Sequence, residues 1–205
     1  MIRLAVLVSG GGTNMQAILD STKSGILKNI AEVVLVISNN VNAYALQRAK
    51  NENIKSICIQ NKAFTNLKDF NNAILQELLK EKIDLVCLAG YMMLIGEDII
   101  SEYSGKILNI HPSILPKFSG KGMYGHHVHK AVIESKEKKS GATVHFVEAE
   151  YDTGRIILQK EVDVFDKELP EELAKRVLNI EHQIYPQAIK KVIESKFKLG
   201  LDRPN

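Results

Sequence analysis

Short apolar runs alternate with amphipathic stretches along the first two-thirds of the chain. Arg3–Val8, Val33–Ser38, Lys55–Ile59, Asp84–Ala89 and Ile107–Ile110 are nearly continuous in apolar character, the pattern of strands covered on both faces. Between them, Met15, Ile18 and Leu19 share one helical face, and Leu67, Phe70, Ile74 and Leu78 recur at helical spacing. Each set predicts a helix with one buried side. Repeated strand–helix–strand units predict an α/β fold, a parallel sheet with helices on both sides.

The pattern then changes. Ala142–Val147 and Ile156–Val164 read as strands, but the link through Tyr151-Asp152-Thr153-Gly154 leaves no room for a crossover helix. An antiparallel excursion in the C-terminal third is therefore predicted. Pro170 suits the first turn of a long helix, with Leu173, Val177, Ile180 and Ile184 as its buried stripe. Pro186 is expected to kink or break that helix, and Ile189, Val192 and Ile193 resume the apolar pattern beyond it.

Composition narrows the class. The chain has 205 residues, 45% hydrophobic and 25% charged, which excludes a disordered, collagen-like or disulfide-dense protein. That length suits a single domain, 1-205, at roughly 100–200 residues per domain. A net charge of +3 is too weak for a protein built to bind nucleic acid. Cys58 and Cys87 lie in apolar runs and read as buried small hydrophobes in a reducing compartment. The longest uncharged stretch, Leu85–Gly96, falls short of the ~18 residues of a membrane-spanning helix. The apolar run after Arg3 stops at Ser9-Gly10, too soon for a signal peptide. A cytoplasmic location is expected.

Candidate chemistry begins at Ser9-Gly10-Gly11-Gly12-Thr13-Asn14, where the first strand turns into a helix. Thr13 to Gln16 reads as a capping box. Glycines at such a turn let backbone N–H groups approach an anion, and the helix start adds partial positive charge. Met15 stands where a dinucleotide fingerprint needs its third glycine, and the loop has no Lys for a Walker motif. A small phosphorylated metabolite fits the loop; a turn that merely needs glycines is the alternative.

Asn109-Ile110-His111-Pro112-Ser113 closes the fifth strand, where open α/β sheets place ligands. Asn109 and His111 point to one side of an extended segment. Together they offer an amide donor and a group that titrates near neutrality. Asp152 lies in the turn of the antiparallel excursion and reads by itself as a turn residue. Its Asp-Thr-Gly tripeptide occurs once, whereas an aspartic protease needs two such carboxylates. His126, His127 and His129 cluster without a Cys or acidic residue at ligand spacing. They read as surface or substrate-side residues, and no metal is expected.

These stretches together resemble one family, the phosphoribosylglycinamide formyltransferases of purine (IMP) biosynthesis. The matching blocks are Ser9–Asn14, Leu88–Met92, Leu108–Pro116, Gly141–Val147, Tyr151–Gly154, Ile157–Gln159 and Glu181–Pro186, in order over nearly the whole chain. The resemblance implies a Rossmann-like sheet in a single formyltransferase domain. It implies transfer of a formyl group from the co-substrate 10-formyltetrahydrofolate to the amine of 5-phosphoribosylglycinamide. It places the substrate phosphate on Gly12, Thr13 and Asn14, and the glycinamide portion on Glu181. Folate falls to Met92, Met93, Leu94, Ile95, Asn109, Glu148, Ala149, Glu150, Tyr151 and Asp152. The catalytic trio becomes Asn109, His111 and Asp152, with a protonated His111 and the Asn109 amide donating to an oxyanion and Asp152 favouring the charged imidazole. The family commonly has Arg at the place of Met93 and a basic residue at the place of Leu67, where Lys68 follows.

The resemblance implies small-molecule partners only, without nucleic acid or membrane, in a monomer or homodimer. Its nearest alternatives are methionyl-tRNA formyltransferase and formyltetrahydrofolate hydrolase. The first carries an added C-terminal domain, the second an added N-terminal one, and neither extension is expected here. A non-catalytic phosphate-metabolite binding module explains the glycine loop but not Asn109, His111 and Asp152 together.

Overall fold

Strong apolar continuity in Leu4-Ala5-Val6-Leu7 makes the first strand a core element, and all four residues are fully buried. The computed structural model describes residues 1–120 and 122–196, the last of these by its backbone alone. The chain divides into two compact units, Met1–Leu108 and the residues from Asn109 onward.

In the first unit β1 (Ile2–Val8), β2 (Ala31–Ser38), β3 (Lys55–Cys58) and β4 (Leu85–Leu88) alternate with α1 (Thr13–Lys23), α2 (Tyr44–Asn51) and α3 (Leu67–Lys80). The strand order is β3-β2-β1-β4 and every pair is parallel, as predicted from the alternation. A short α4 (Glu97–Glu102) follows. In α3 the buried face is Phe70, Asn71, Ile74 and Leu78, while Leu67 is exposed. Leu67 occupies the first helical position, before the face docks. Asn66 caps this helix by accepting the Asp69 N–H at 2.8 Å. Cys58 is half-buried on β3 and Cys87 is buried on β4, and no disulfide joins them.

The chain passes into the second unit along β5 (Ile107–His111). There follow α5 (His126–Glu134), β6 (Lys139–Phe146), β7 (Ile156–Asp163) and α6 (Pro170–Lys196). β6 and β7 are antiparallel, so the predicted excursion is present, and β6 starts three residues earlier than its apolar run suggests. Pro186 neither ends nor interrupts α6. A proline inside a helix removes one hydrogen bond and crowds the preceding turn. Ile184 and Tyr185 before it, and Ala188, Ile189 and Val192 after it, are buried to 3% exposure or less. Burial on both sides of the proline outweighs the local loss. Ile180, expected in the stripe, is half-buried. The four-residue steps from Val177 lead instead to Glu181 and Tyr185, 8% and 0% exposed. Among the described residues, no helix is long and apolar enough to cross a membrane.

Candidate active site

The glycine loop lies between β1 and α1 in the first unit. Gly12 has φ 73° and is the N-cap of α1, with no side-chain cap. Thr13 is therefore already helical, and the expected capping box does not form. Gln16 donates its backbone N–H to the Gly12 carbonyl at 2.9 Å, and its side-chain amide donates to Asp20. A Cβ on Gly12 would lie 2.6 Å from that of Ala45, so glycine is required by space as well as by dihedral angle.

Four successive carbonyls of this loop are engaged. Asn40 Nδ2 donates to Ser9 O at 3.2 Å, Ala45 N–H to Gly10 O at 3.2 Å and Gln16 N–H to Gly12 O. Arg48 Nε donates to Gly11 O at 2.8 Å. With their oxygens held, these planar peptides have the directions of their N–H groups fixed as well. Thr13 and Asn14 open α1 directly after the loop.

Ser9 joins the loop to the segment after β4. Its hydroxyl donates to Asn39 Oδ1 at 2.6 Å and accepts the Met92 N–H at 2.8 Å. Along Met92–Ile95, Met92 and Leu94 are exposed, Met93 is half-buried and Ile95 is buried. Asn71 fixes the far end, accepting the Gly96 N–H at 2.8 Å.

The second unit brings Asn109, His111 and Asp152 together through a residue the sequence reading did not single out, His145. Asn109 Nδ2 lies 3.1 Å from His145 Nε2. Asp152 Oδ1 lies 3.6 Å from both His145 Nε2 and His111 Nδ1. The other Asp152 oxygen accepts the Gly120 N–H at 3.0 Å. Asp152 has φ 57°, a conformation that Asp and Asn tolerate better than most residues.

Carbonyl partners fix both tautomers, because a carbonyl only accepts. His145 Nδ1 is 2.8 Å from Phe146 O and carries the proton. Its Nε2 thereby accepts from Asn109, which orients the amide and leaves the second Asn109 N–H for another acceptor. His111 Nε2 donates to Phe118 O at 2.8 Å, so the Nδ1 lone pair faces Asp152. Burial pulls the His111 pKa down; the Asp152 charge and the Phe118 carbonyl oppose it without overcoming it. That direction favours the neutral imidazole, where the sequence led to an expected imidazolium. For Asp152, burial acts upward, but the neighbouring imidazoles of His145 and His111 and the Gly120 N–H bring its pKa below the ordinary value.

The loop that supplies the Phe118 carbonyl is braced by Thr143, which is fully buried on β6. Its hydroxyl donates to Ser113 O at 2.6 Å and accepts from the Leu115 N–H at 3.2 Å and Gln159 Nε2 at 2.8 Å. Lys121, farther along this loop, lies outside the described residues. Glu148, Ala149, Glu150 and Tyr151 form an exposed stretch leading to Asp152, and Glu181 is buried on α6. The histidine cluster divides by helical position: His126 and His127 are exposed on α5 while His129 is buried. Among the described residues, no three His, Cys, Asp or Glu side chains gather as a metal site.

A glycine loop at the start of the first helix and an amide–imidazole–carboxylate cluster built on the end of β5 define an α/β protein equipped for group transfer with acid–base assistance. The family model for formyl transferase matches residues 2–189. The chain is 41% identical to the phosphoribosylglycinamide formyltransferase of Haemophilus influenzae over 97% of its own length and 91% of that protein. It is 39% identical to the trifunctional purine biosynthetic protein adenosine-3 of Chironomus tentans over 97% of its own length, and spans only 14% of that relative. The crystal structure of glycinamide ribonucleotide transformylase 1 from Symbiobacterium toebii superposes with a TM-score of 0.89 at 40% identity, covering 96% of this chain and 89% of that one. The chain belongs to the formyl transferase family.

Proposed function

We propose that residues 1–205 act as one formyltransferase domain that moves the formyl group of 10-formyltetrahydrofolate to the amine of 5-phosphoribosylglycinamide, giving formylglycinamide ribonucleotide in purine (IMP) biosynthesis. The partners are small molecules, and the expected setting is the cytoplasm. The relatives' names and the ordered sequence blocks support the substrates. The site supports the chemistry. The observation that carries it is the fixed pairing of Asn109 with His145 and of His111 with Asp152.

Acyl transfer between two nitrogens needs a donor for the developing oxyanion and a carrier for one proton. The free Asn109 N–H serves the first need. Neutral His111 serves the second: its Nδ1 lone pair accepts the amine proton, and the adjoining Asp152 carboxylate stabilises the imidazolium. The same proton then passes to the departing folate nitrogen. Asp152 need not itself change protonation state.

The folate donor supplies the activated formyl carbon. Exposed Met92 and Leu94 offer the apolar surface that a flat pterin ring fits, with Met93, Ile95 and the Glu148–Asp152 stretch completing the proposed contacts. Gly12, Thr13 and Asn14 take the acceptor's phosphate and Glu181 its glycinamide end. Incubating the protein with the formyl donor, with and without glycinamide ribonucleotide, tests this reading. A formylated acceptor appearing in step with donor loss is expected. Donor loss yielding free formate regardless of acceptor would indicate a hydrolase, and no donor loss a binding module.

A further inference from the structure

The geometry points to Arg48 as the positioning residue that aims the glycine loop at the acceptor's phosphate. This rests on the phosphate reading of that loop. A trans peptide is planar, so holding one residue's carbonyl oxygen sends the next residue's N–H the opposite way. The Gly10 and Gly12 carbonyls are held by backbone donors, Ala45 and Gln16. The peptide between them, Gly11–Gly12, has its carbonyl held by a side chain, Arg48 Nε at 2.8 Å. It is flanked by glycine on both sides, and no atom of the described residues lies within 4 Å of a Cβ placed on Gly11. Such a peptide resists rotation weakly on its own. Arg48 thereby fixes the direction of the Gly12 N–H, as backbone donors fix those of Gly11 and Thr13 on either side.

The guanidinium is itself placed with care. Its Cζ stands 5.0 Å from the centre of the Tyr44 ring, and Nη1 reaches Gln16 Oε1 at 3.4 Å. Tyr44, Ala45 and Arg48 all belong to α2. That helix therefore supplies the backbone donor to Gly10, the methyl wall behind Gly12 and the side-chain donor to Gly11. Arg suits the position because its planar fork donates from Nε while the whole group stays charged. Lys has the charge but no donor at that place.

The test compares wild type, Arg48→Met and Arg48→Lys on two acceptors, glycinamide ribonucleotide and its riboside lacking phosphate, with inorganic phosphate as a competing probe. Wild type is expected to favour the phosphorylated acceptor strongly. In Arg48→Met, KM for that acceptor and the inhibition constant of phosphate are expected to rise roughly tenfold or more, the usual effect of losing a charge-assisted hydrogen bond. KM for the folate donor and kcat should stay within about twofold, since hydrogen bonds of order 1 kcal/mol near the reacting atoms are untouched. Arg48→Lys is expected to recover little, because charge alone does not orient the peptide. A wild type indifferent to the acceptor's phosphate would overturn the phosphate reading of the loop. A discriminating wild type whose Arg48→Met variant discriminates equally well would overturn the role of Arg48 alone. If Arg48→Met melts early, Arg48→Lys decides: lost preference supports the proposal, and full preference overturns it.

Discussion

Asp152 sits at the meeting point of two imidazoles, and the proposed mechanism draws on its carboxylate. Asn tolerates the same positive φ and can still accept the Gly120 N–H, so Asp152→Asn removes charge while preserving local shape. Without that charge, the influence that raises the His111 pKa disappears, and the pKa falls further. If neutral His111 is the proton acceptor, wild-type kcat/KM rises with pH through a limb below 6.5, the ordinary histidine value, and is flat near neutrality. In Asp152→Asn the limb is expected to move to lower pH. The plateau should drop at least ~10²-fold, the usual contribution of a positioned acid–base group. A pH–rate profile beside a thermal melt measures both. An unchanged plateau would return Asp152 to a purely structural turn.

At the scale of elements, β6 builds the site as much as β5 does. Its alternation sends Thr143 and His145 to the same face, one bracing the loop before Phe118 and the other joining Asn109 to Asp152. The polar residues recur at strand spacing inside an otherwise apolar run, and that was the available signal for His145. Asn109 and His111 were legible because they end a strand in a distinctive block. α2 was not: its buried residues are only Ala45 and Ala49, too small to mark an amphipathic stripe, so Arg48 escaped notice. Pro186 does not break α6 because proline propensity is local, whereas the burial that outweighs it comes from tertiary packing. Thr143→Val keeps shape but strands Ser113 O, the Leu115 N–H and one Gln159 donor. It is expected to lower stability by about 1–3 kcal/mol. Turnover should fall while KM for the phosphorylated acceptor holds, as the Phe118 carbonyl loses its support. Urea melts and steady-state kinetics read the two effects separately.

The whole molecule should respond to acid through a histidine outside the proposed catalytic trio. His129 is 4% exposed, and its Nδ1 has no hydrogen-bond partner among the described residues. Burial, aided by His126 and His111, brings its pKa down to about 4. The unfolded chain binds this proton near pH 6.5, while the folded chain does not until about pH 4. Stability from His129 is therefore complete above pH 6.5 and is lost as pH falls towards 4, by about 3 kcal/mol in all. His129→Phe should flatten that part of the stability profile, measured by urea melts across the same range. An equally steep acid loss in the variant would assign it to other groups. The parallel sheet was readable because buried parallel strands announce themselves as apolar runs. The side of α5 that each histidine occupies was not, because three histidines within four residues fit several helical phases.

The central claim is that formyl transfer depends on the lone pair His111 presents beside Asp152. Its most direct test is the rate of formyl transfer to glycinamide ribonucleotide by wild type and His111→Ala at saturating substrates, with melts and acceptor binding measured on the same samples. The expected result is a loss of at least ~10²-fold in turnover with folding and phosphate-dependent binding retained. A folded His111→Ala protein that transfers the formyl group at a near-normal rate would contradict it.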